Sequence, residues 1–355
     1  MRQTYLEINL NNFEHNINEI KKLHPNKEII PVIKANAYGT HINKHIDTIN
    51  KFNIVAVAIV EEAVYLRNLG YKKDILVLNQ PYIEDLPNII KYDISIGLSY
   101  LDYIKDIKDK IKIHIEIESG MNRTGFKKEE LQELLSNIND NIKIEGIYTH
   151  FSSAENDPEY TNKQIDYFKE CVSILKDYQK EIKYIHSSAS NGLVNYNLDF
   201  TNAIRPGIIM YGYYSSNEIK EKINIKPIAK LISKISYLKE IDENESVSYN
   251  RTYKTNKKTK IATIGIGYAD GYPRSASNIG RVVINNKLCN VIGRVCMDSI
   301  LVDVTDLNEV KIGDKVYLFD NNLVTLEELA SYSNTINYEI LSTIHERVPR
   351  IYIQE

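Results

Sequence analysis

The sequence predicts an α/β fold in two parts, an N-terminal (β/α)8 barrel of the TIM type followed by a mostly β C-terminal domain. Three observations carry that prediction. Short apolar strand-like segments alternate with amphipathic helical ones through the first two-thirds of the chain. The repeat of roughly 20–30 residues per unit implies parallel strands joined by right-handed crossovers. After about residue 225 the texture changes to strand-like segments punctuated by turns.

The elements follow in order. The opening TYLEINL reads as a strand that precedes the barrel and its helix, so it is expected to pair into the β domain. In residues 11–23, Phe13, Ile17, Ile20 and Leu23 share one helical face. Strands are expected at IIPVI (29–33), IVAVAI (54–59), DILVLN (74–79), KIHIEIE (112–118), KIEGIYTH (143–150) and EIKYIHSS (181–188). A later helix sets Ile165, Phe168, Val172 and Leu175 on one face. About eight such units suffice to close a sheet. The competing doubly wound fold lacks support, because no G-x-G-x-x-G turn follows the first complete strand. Beyond residue 225, AKLISKISYLKEI, TKIATIGIG, RVVINNKLCNVIG, SILVDV and DKVYLFD are strand-like, and INNK suits a hairpin turn. The tail is expected to hold one helical piece near 325–334 and a strand at PRIYIQ. The expected domains are 1–225, with the strand at about 4–10 lent to the other sheet, and 226–355.

Composition narrows the function classes. With 44 basic and 47 acidic side chains the net charge is −3, so no global basic field points to nucleic acid. No stretch approaches the ~18 apolar residues of a membrane span, and the start has no charged-then-apolar pattern. Cys171, Cys289 and Cys296 are odd in number and lack metal-ligand spacing, which suits a reducing, cytoplasmic setting and no metal.

Catalytic groups of a parallel barrel gather at the C-terminal ends of its strands, and Lys34 stands at such an end. A lysine there suits a strand end reaching solvent, a phosphate ligand, or an amine kept neutral by burial and nearby cations so that it can react. Arg123 and Arg205 also follow apolar strands. Each suits a structural ion pair, or a planar donor fork for a carboxylate or a ring nitrogen. The small-residue run Ser187–Gly192, with Gly207 and Ile208, offers backbone N–H groups and a hydroxyl to a phosphate. His150 and His186 read as hydrogen-bonded supports.

The segments VIKANAYG, GMNRTGF, YTHF, IRPGIIMYG, VSYNRTY, IGIGYADGYPR, GRVCMD and RVPRIY stand in the order seen in pyridoxal-phosphate-dependent alanine racemases. The resemblance runs from about residue 4 to 352. It implies a barrel followed by a β-rich domain, and a head-to-tail homodimer whose active sites are built at the subunit interface. By resemblance Lys34 holds the pyridoxal 5'-phosphate cofactor covalently and exchanges the substrate α-proton on one face. Tyr249, supplied by the other subunit, serves the opposite face, since inversion removes a proton from one side and returns it on the other. A tyrosine is a poor base near its ordinary pKa of about 10, and Arg251 and His150 are the neighbours expected to favour its phenolate. Arg205 faces the pyridine nitrogen and, being permanently protonated, leaves it unprotonated and the ring a weaker electron sink. His186 supports that arginine. Tyr38, Ser190, Gly207, Ile208 and Tyr338 match the phosphate-binding set. Arg123 and the backbone of Met297 match the substrate-carboxylate clamp, and Tyr253 and Tyr268 the substrate entrance.

Two positions depart from the family pattern. Glu116 stands where many alanine racemases carry a carbamylated lysine that orients the clamp arginine, so it is expected to supply that anion unmodified. Ala189 stands where an asparagine more often precedes the phosphate serine. The resemblance implies alanine racemisation for cell-wall peptidoglycan, with serine or broader amino-acid racemases sharing the scaffold. Basic amino-acid decarboxylases share the architecture, but their glycine-rich phosphate loop and C-terminal catalytic cysteine motif are absent here. Single-barrel pyridoxal-phosphate carriers have no C-terminal β domain and no counterpart of Tyr249.

Overall fold

The structure, a computed structural model, describes residues 3–105 and 107–354. It divides into two compact units, one of Glu14–Ala37 and His41–Lys226, the other of Met1–Phe13, Tyr38–Thr40 and Pro227–Glu355. Strand β1 (Tyr5–Asn9) belongs to the second unit.

The first unit holds eight parallel strands: β2 (Glu28–Ile29), β3 (Ile54–Val57), β4 (Asp74–Val77), β5 (Ser95–Leu98), β6 (Ile111–Ile117), β7 (Ile142–Thr149), β8 (Tyr184–His186) and β9 (Ala203–Ile204). Their spatial order is β2-β9-β8-β7-β6-β5-β4-β3. Beyond β2 the chain closes the ring: Val32 bridges Ala56 of β3, the Ile33 N–H donates to the Ala56 carbonyl (2.9 Å), and the Ala56 N–H donates to the Pro31 carbonyl (2.8 Å). Prolines thin both sides of the strand expected over 29–33, leaving a two-residue ladder plus a bridge: Pro31 has no N–H to offer β3, and Pro206, whose carbonyl accepts from the Val32 N–H, has none to extend the ladder with β9. Strand β5 escapes the sequence pattern because serine and glycine occupy two of its four positions.

Helices cover the outside of this sheet. The longest, Pro158–Tyr178, opens with proline in its first turn and the Asp157 side chain accepting from the Tyr160 N–H (3.0 Å). It buries Ile165, Phe168, Cys171, Val172 and Leu175. Strand β6, IKIHIEI, explains the interior. Its four isoleucines are buried on one face, and Lys112, His114 and Glu116 take the other. These polar side chains reach beyond the neighbouring strands, Lys112 to Asp74 of β4 (3.7 Å) and His114 to His186 of β8 (2.9 Å). The barrel lumen is therefore polar along this strand.

The second unit is built on the long strand β10 (Ala229–Ile241), followed by the short pair β11 (Ser246–Val247) and β12 (Tyr253–Lys254), then β13 (Thr259–Ile264), β14 (Arg281–Ile284), β15 (Lys287–Asn290), β16 (Ile300–Asp303), β17 (Lys315–Phe319) and β18 (Arg350–Ile353). Strand β10 pairs antiparallel with β1, β13 and β17, and β1 pairs parallel with β18. Asn285 and Asn286, with φ of 50° and 60°, make the left-handed turn of the β14–β15 hairpin. Helices span Leu326–Ser331 and Asn337–Ser342, the second being an addition to the single helical piece expected in the tail. Among the described residues no helix is long and apolar enough to cross a membrane.

Candidate active site

Lys34 emerges at the end of the β2 extension and enters an unusual turn. Ala35, Asn36, Ala37 and Tyr38 all have left-handed φ values, 52°, 52°, 55° and 53°. A left-handed turn costs an L-residue about 1–2 kcal/mol per position, so four in a row require external support. Glu62 supplies it: one carboxylate oxygen accepts from the Ala35 N–H (2.5 Å) and the other from the Ala58 N–H (2.8 Å). The Asn36 carbonyl accepts from the His41 N–H (2.9 Å), and its side-chain oxygen accepts from the Ile42 N–H (3.0 Å). Lys34 is exposed in the single chain, yet the protein packed around it shields it from water enough to lower its pKa; the charges of Arg123 and Arg205 lower it further, and Glu62 opposes them. The arrangement therefore makes this amine easier to deprotonate than an ordinary lysine.

Arg205, at the end of β9, is buried and held on several sides. Its Nη1 donates to His186 Nδ1 (2.6 Å), and its Nη2 donates to the carbonyls of Thr149 (2.8 Å) and Ser187 (3.2 Å). His150 Nδ1 lies 3.4 Å from Nη2. The guanidinium carbon stands 5.2 Å from the centre of the Tyr148 ring, which stacks on His186 at 5.1 Å. Burial pushes Arg205 down to about 10, leaving it a cation at neutral pH. Burial and then Arg205 push His150 down to about 3 and His186 well below its ordinary value, so both rings are neutral.

Of the residues read from sequence as a phosphate site, Ser190 and Gly207 come together beside this cluster. Ser190 Oγ lies 3.4 Å from the N–H groups of both Gly207 and Ile209, where the chain turns into the 3-10 segment Ile208–Tyr211. Ser187 Oγ is buried without a partner among the described residues, a vacancy that a ligand oxygen would satisfy. A lysine amine, a buried arginine and this donor cluster fit pyridoxal 5'-phosphate.

Glu116 is buried, and its carboxylate accepts from the hydroxyls of Ser99 (2.7 Å) and Thr124 (3.0 Å). It thus meets the neighbour of Arg123 rather than Arg123 itself. Glu118 shapes the Arg123 loop, accepting from the N–H groups of Gly120 (2.5 Å) and Arg123 (3.2 Å). Arg123 itself is exposed in the single chain, and its charge bears on Lys34, Tyr148, His150 and Arg205.

The remaining sequence candidates belong to the second unit. Tyr38 faces Tyr338 there, ring centres 6.1 Å apart. Tyr249 is 65% exposed on a turn whose Ser248, Asn250 and Arg251 all have positive φ. Met297 and Tyr268 are also exposed, and the backbone N–H groups of Tyr268 and Ala269 donate to the carbonyls of Cys296 and Met297 (3.0 Å each). Tyr253 is half-buried on β12.

Glu62, His114, Tyr148 and Glu118 were not legible as site residues. A signal existed for two of them. Glu62 is an acid in the first turn of a helix that directly follows a buried strand, and His114 is a polar residue inside a strand whose other face is wholly apolar.

Residues 8–215 match the family model described as alanine racemase, N-terminal domain, and residues 228–352 match that for the C-terminal domain. The alanine racemase of Clostridium perfringens (strain SM101 / Type A) is 41% identical over 369 residues, covering 99% of this chain and 96% of that protein. That of Clostridium novyi (strain NT) is 38% identical, covering 100% and 96%. Among solved structures, alanine racemase from Clostridium difficile 630 has a TM-score of 0.92 at 35% identity, with 100% and 97% of the chains covered. Alanine racemase from Bacillus anthracis, solved with bound L-Ala-P, has a TM-score of 0.93 at 33% identity, with 100% and 96% covered. With both domains matched in order along nearly the whole chain, this protein belongs to the alanine racemase family of isomerases.

Proposed function

We propose that this protein interconverts L- and D-alanine with pyridoxal 5'-phosphate, by a two-base route, as a homodimer that supplies D-alanine for peptidoglycan in the cytoplasm. The observation that carries this reading is the placement of Lys34, at the end of the β2 extension, in the same unit as the buried, histidine-held Arg205 and the Ser190 donor cluster. Lys34 holds the cofactor, with Arg205 toward its ring nitrogen and Ser190, Gly207, Ile208, Tyr38 and Tyr338 toward its phosphate. When bound, the cofactor supplies the electron sink that makes the substrate α C–H acidic. Arg205 donates only, so it keeps the ring nitrogen unprotonated and limits that sink, favouring return of the proton over transamination. His150 and His186 stay neutral and hold Arg205 in place.

Arg123 clamps the substrate carboxylate, aided by the backbone of Met297, and Glu116 steadies the Arg123 loop through Thr124. Lys34 moves the proton on one face, and Tyr249 of a second copy moves it on the other. The exposure of Tyr249, Tyr268 and Met297 in the single chain supports a shared site. Tyr253 and Tyr268 line the entrance.

The test is incubation of the cofactor-loaded enzyme with L-alanine or L-serine in D₂O. Inversion of alanine with deuterium at the α carbon is the expected result, and Tyr249→Phe is expected to lose exchange from L-alanine more severely than from D-alanine. Faster inversion of serine assigns the other substrate. Release of CO₂ marks a decarboxylase, and no exchange at all marks a carrier.

A further inference from the structure

Gly97 of β5, His114 of β6, Gly146 of β7 and Tyr184 of β8 stand side by side in one register row of the barrel. A Cβ added to Gly146 would lie 2.5 Å from His114 Nδ1 and 2.8 Å from the Tyr184 carbonyl oxygen. The missing side chain on β7 is what lets His114 reach across to β8. There its ring stacks on Tyr184 (5.5 Å, 19°), and its Nδ1 lies 2.9 Å from His186 Nε2.

The direction of the protons follows from Arg205. A guanidinium only donates, so His186 Nδ1 is an acceptor. The single proton of the neutral His186 ring then sits on Nε2 and points at His114 Nδ1, which must accept it. That leaves the proton of His114 on its own Nε2, a buried atom with no partner among the described residues. Burial pushes His114 down to about 3, so the ring stays neutral. An aliphatic side chain would fill the same space without an unsatisfied donor. Packing alone therefore does not account for a histidine here, whereas its bond to His186 does.

We propose that His114 is a positioning residue of the active site: by accepting from the His186 Nε2–H it fixes the tautomer of His186, and through it the orientation and charge of Arg205. Both rings then turn their acceptor ends toward the guanidinium, and the successive hydrogen bonds polarise one another in the same sense. Arg205 depends on this support because its other strong partners are the carbonyls of Thr149 and Ser187. Without an acceptor at position 114, the His186 proton on Nε2 has nowhere to go. Moving it to Nδ1 turns an N–H against a guanidinium N–H. The catalytic consequence rests on the reading of Arg205 as the ring-nitrogen partner, but the order of the hydrogen bonds does not.

Proton–nitrogen correlation spectra of the histidine rings in the cofactor-free protein test the relay. The expected wild-type pattern is a proton on Nε2 of both His186 and His114. His114→Phe is expected to change the His186 tautomer or abolish the hydrogen-bonded shift of its ring proton, and to move the Arg205 guanidinium signals. His114→Asn, whose side-chain oxygen stands near the place of Nδ1, is expected to restore the His186 pattern. In the loaded enzyme, kcat is expected to fall about 10-fold in His114→Phe and to recover in His114→Asn with KM little changed, the scale set by outer partners of metal-bound imidazoles. A wild-type His186 protonated on Nδ1 overturns the proposal without any variant, and so does a His114→Phe protein with unaltered His186 and Arg205 signals. The spectra need neither cofactor nor turnover, so they answer independently of the racemase reading.

Discussion

The carboxylate of Glu62 joins the N–H of Ala35, the first residue beyond Lys34, to the N–H of Ala58 at the end of β3. One side chain thus anchors the start of the left-handed turn, and its charge holds the Lys34 pKa up against burial and the arginines. Glu62→Gln keeps an acceptor but removes the charge. The Lys34 amine is then expected to titrate at lower pH than in the wild type. The pH dependence of acylation at Lys34 in the cofactor-free protein, followed by peptide mass spectrometry, measures this directly. A midpoint that stays put or rises contradicts the account.

Glu116→Gln tests the loop of Arg123. Replacing a charged acceptor of two hydroxyls with a neutral one weakens bonds worth about 1.5–3 kcal/mol, so KM for alanine is expected to rise about 10-fold with a smaller change in kcat. Thr124→Val cuts the route between Glu116 and the Arg123 loop and is expected to act the same way. Wild-type steady-state constants in both variants would remove Glu116 from any orienting role.

Gly97→Ala probes the packing of Tyr148. A Cβ at Gly97 would fall on the Tyr148 hydroxyl and lie 2.7 Å from the Leu78 carbonyl oxygen to which that hydroxyl donates. The carbonyl belongs to the backbone and yields little, so a loss of about 1–3 kcal/mol is expected in denaturant unfolding. Stability equal to the wild type would mean the lumen is looser than these distances imply.

Buried histidines set the acid limit. His45, His114 and His150 are each pushed down to about 3 by burial. Unfolded imidazoles take up protons below about pH 6.5. Between that pH and about 3 the unfolded chain therefore binds more protons, and stability falls as the pH is lowered. Each such group contributes a slope of about 1.4 kcal/mol per pH unit. His45→Gln, far in sequence from the Arg205 cluster, is expected to flatten the measured slope by one increment. An unchanged slope rules out His45 as a contributor.

The barrel was legible because its strands are apolar and its units regular, and AKLISKISYLKEI coincides with β10 from end to end. Pro31 and the Ser-Ile-Gly-Leu strand show where the pattern thins: a missing donor shortens one ladder, and weak strand formers hide another. The left-handed run after Lys34 was not legible, since alanine and tyrosine have no local preference for that region and a single asparagine does not hold four residues in it. Glu62 imposes it from 27 positions away. At the site, Lys34, Arg205 and Ser190 stood out because each follows a strand. His114 did not, because its meaning depends on a glycine of the neighbouring strand, Gly146, that clears a path for it.

Strand β1 pairs Tyr5 with Ile232 and Leu6 with Arg350. Its first neighbour, β10, lies more than two hundred residues further along the chain, and its second, β18, more than three hundred. One edge of β1 has no partner until β10 is made and the other none until β18, while the barrel segments between form their own nearer pairings. Contacts this distant in sequence are slow to close, so assembly of the β unit is expected to be the late, rate-limiting phase of folding.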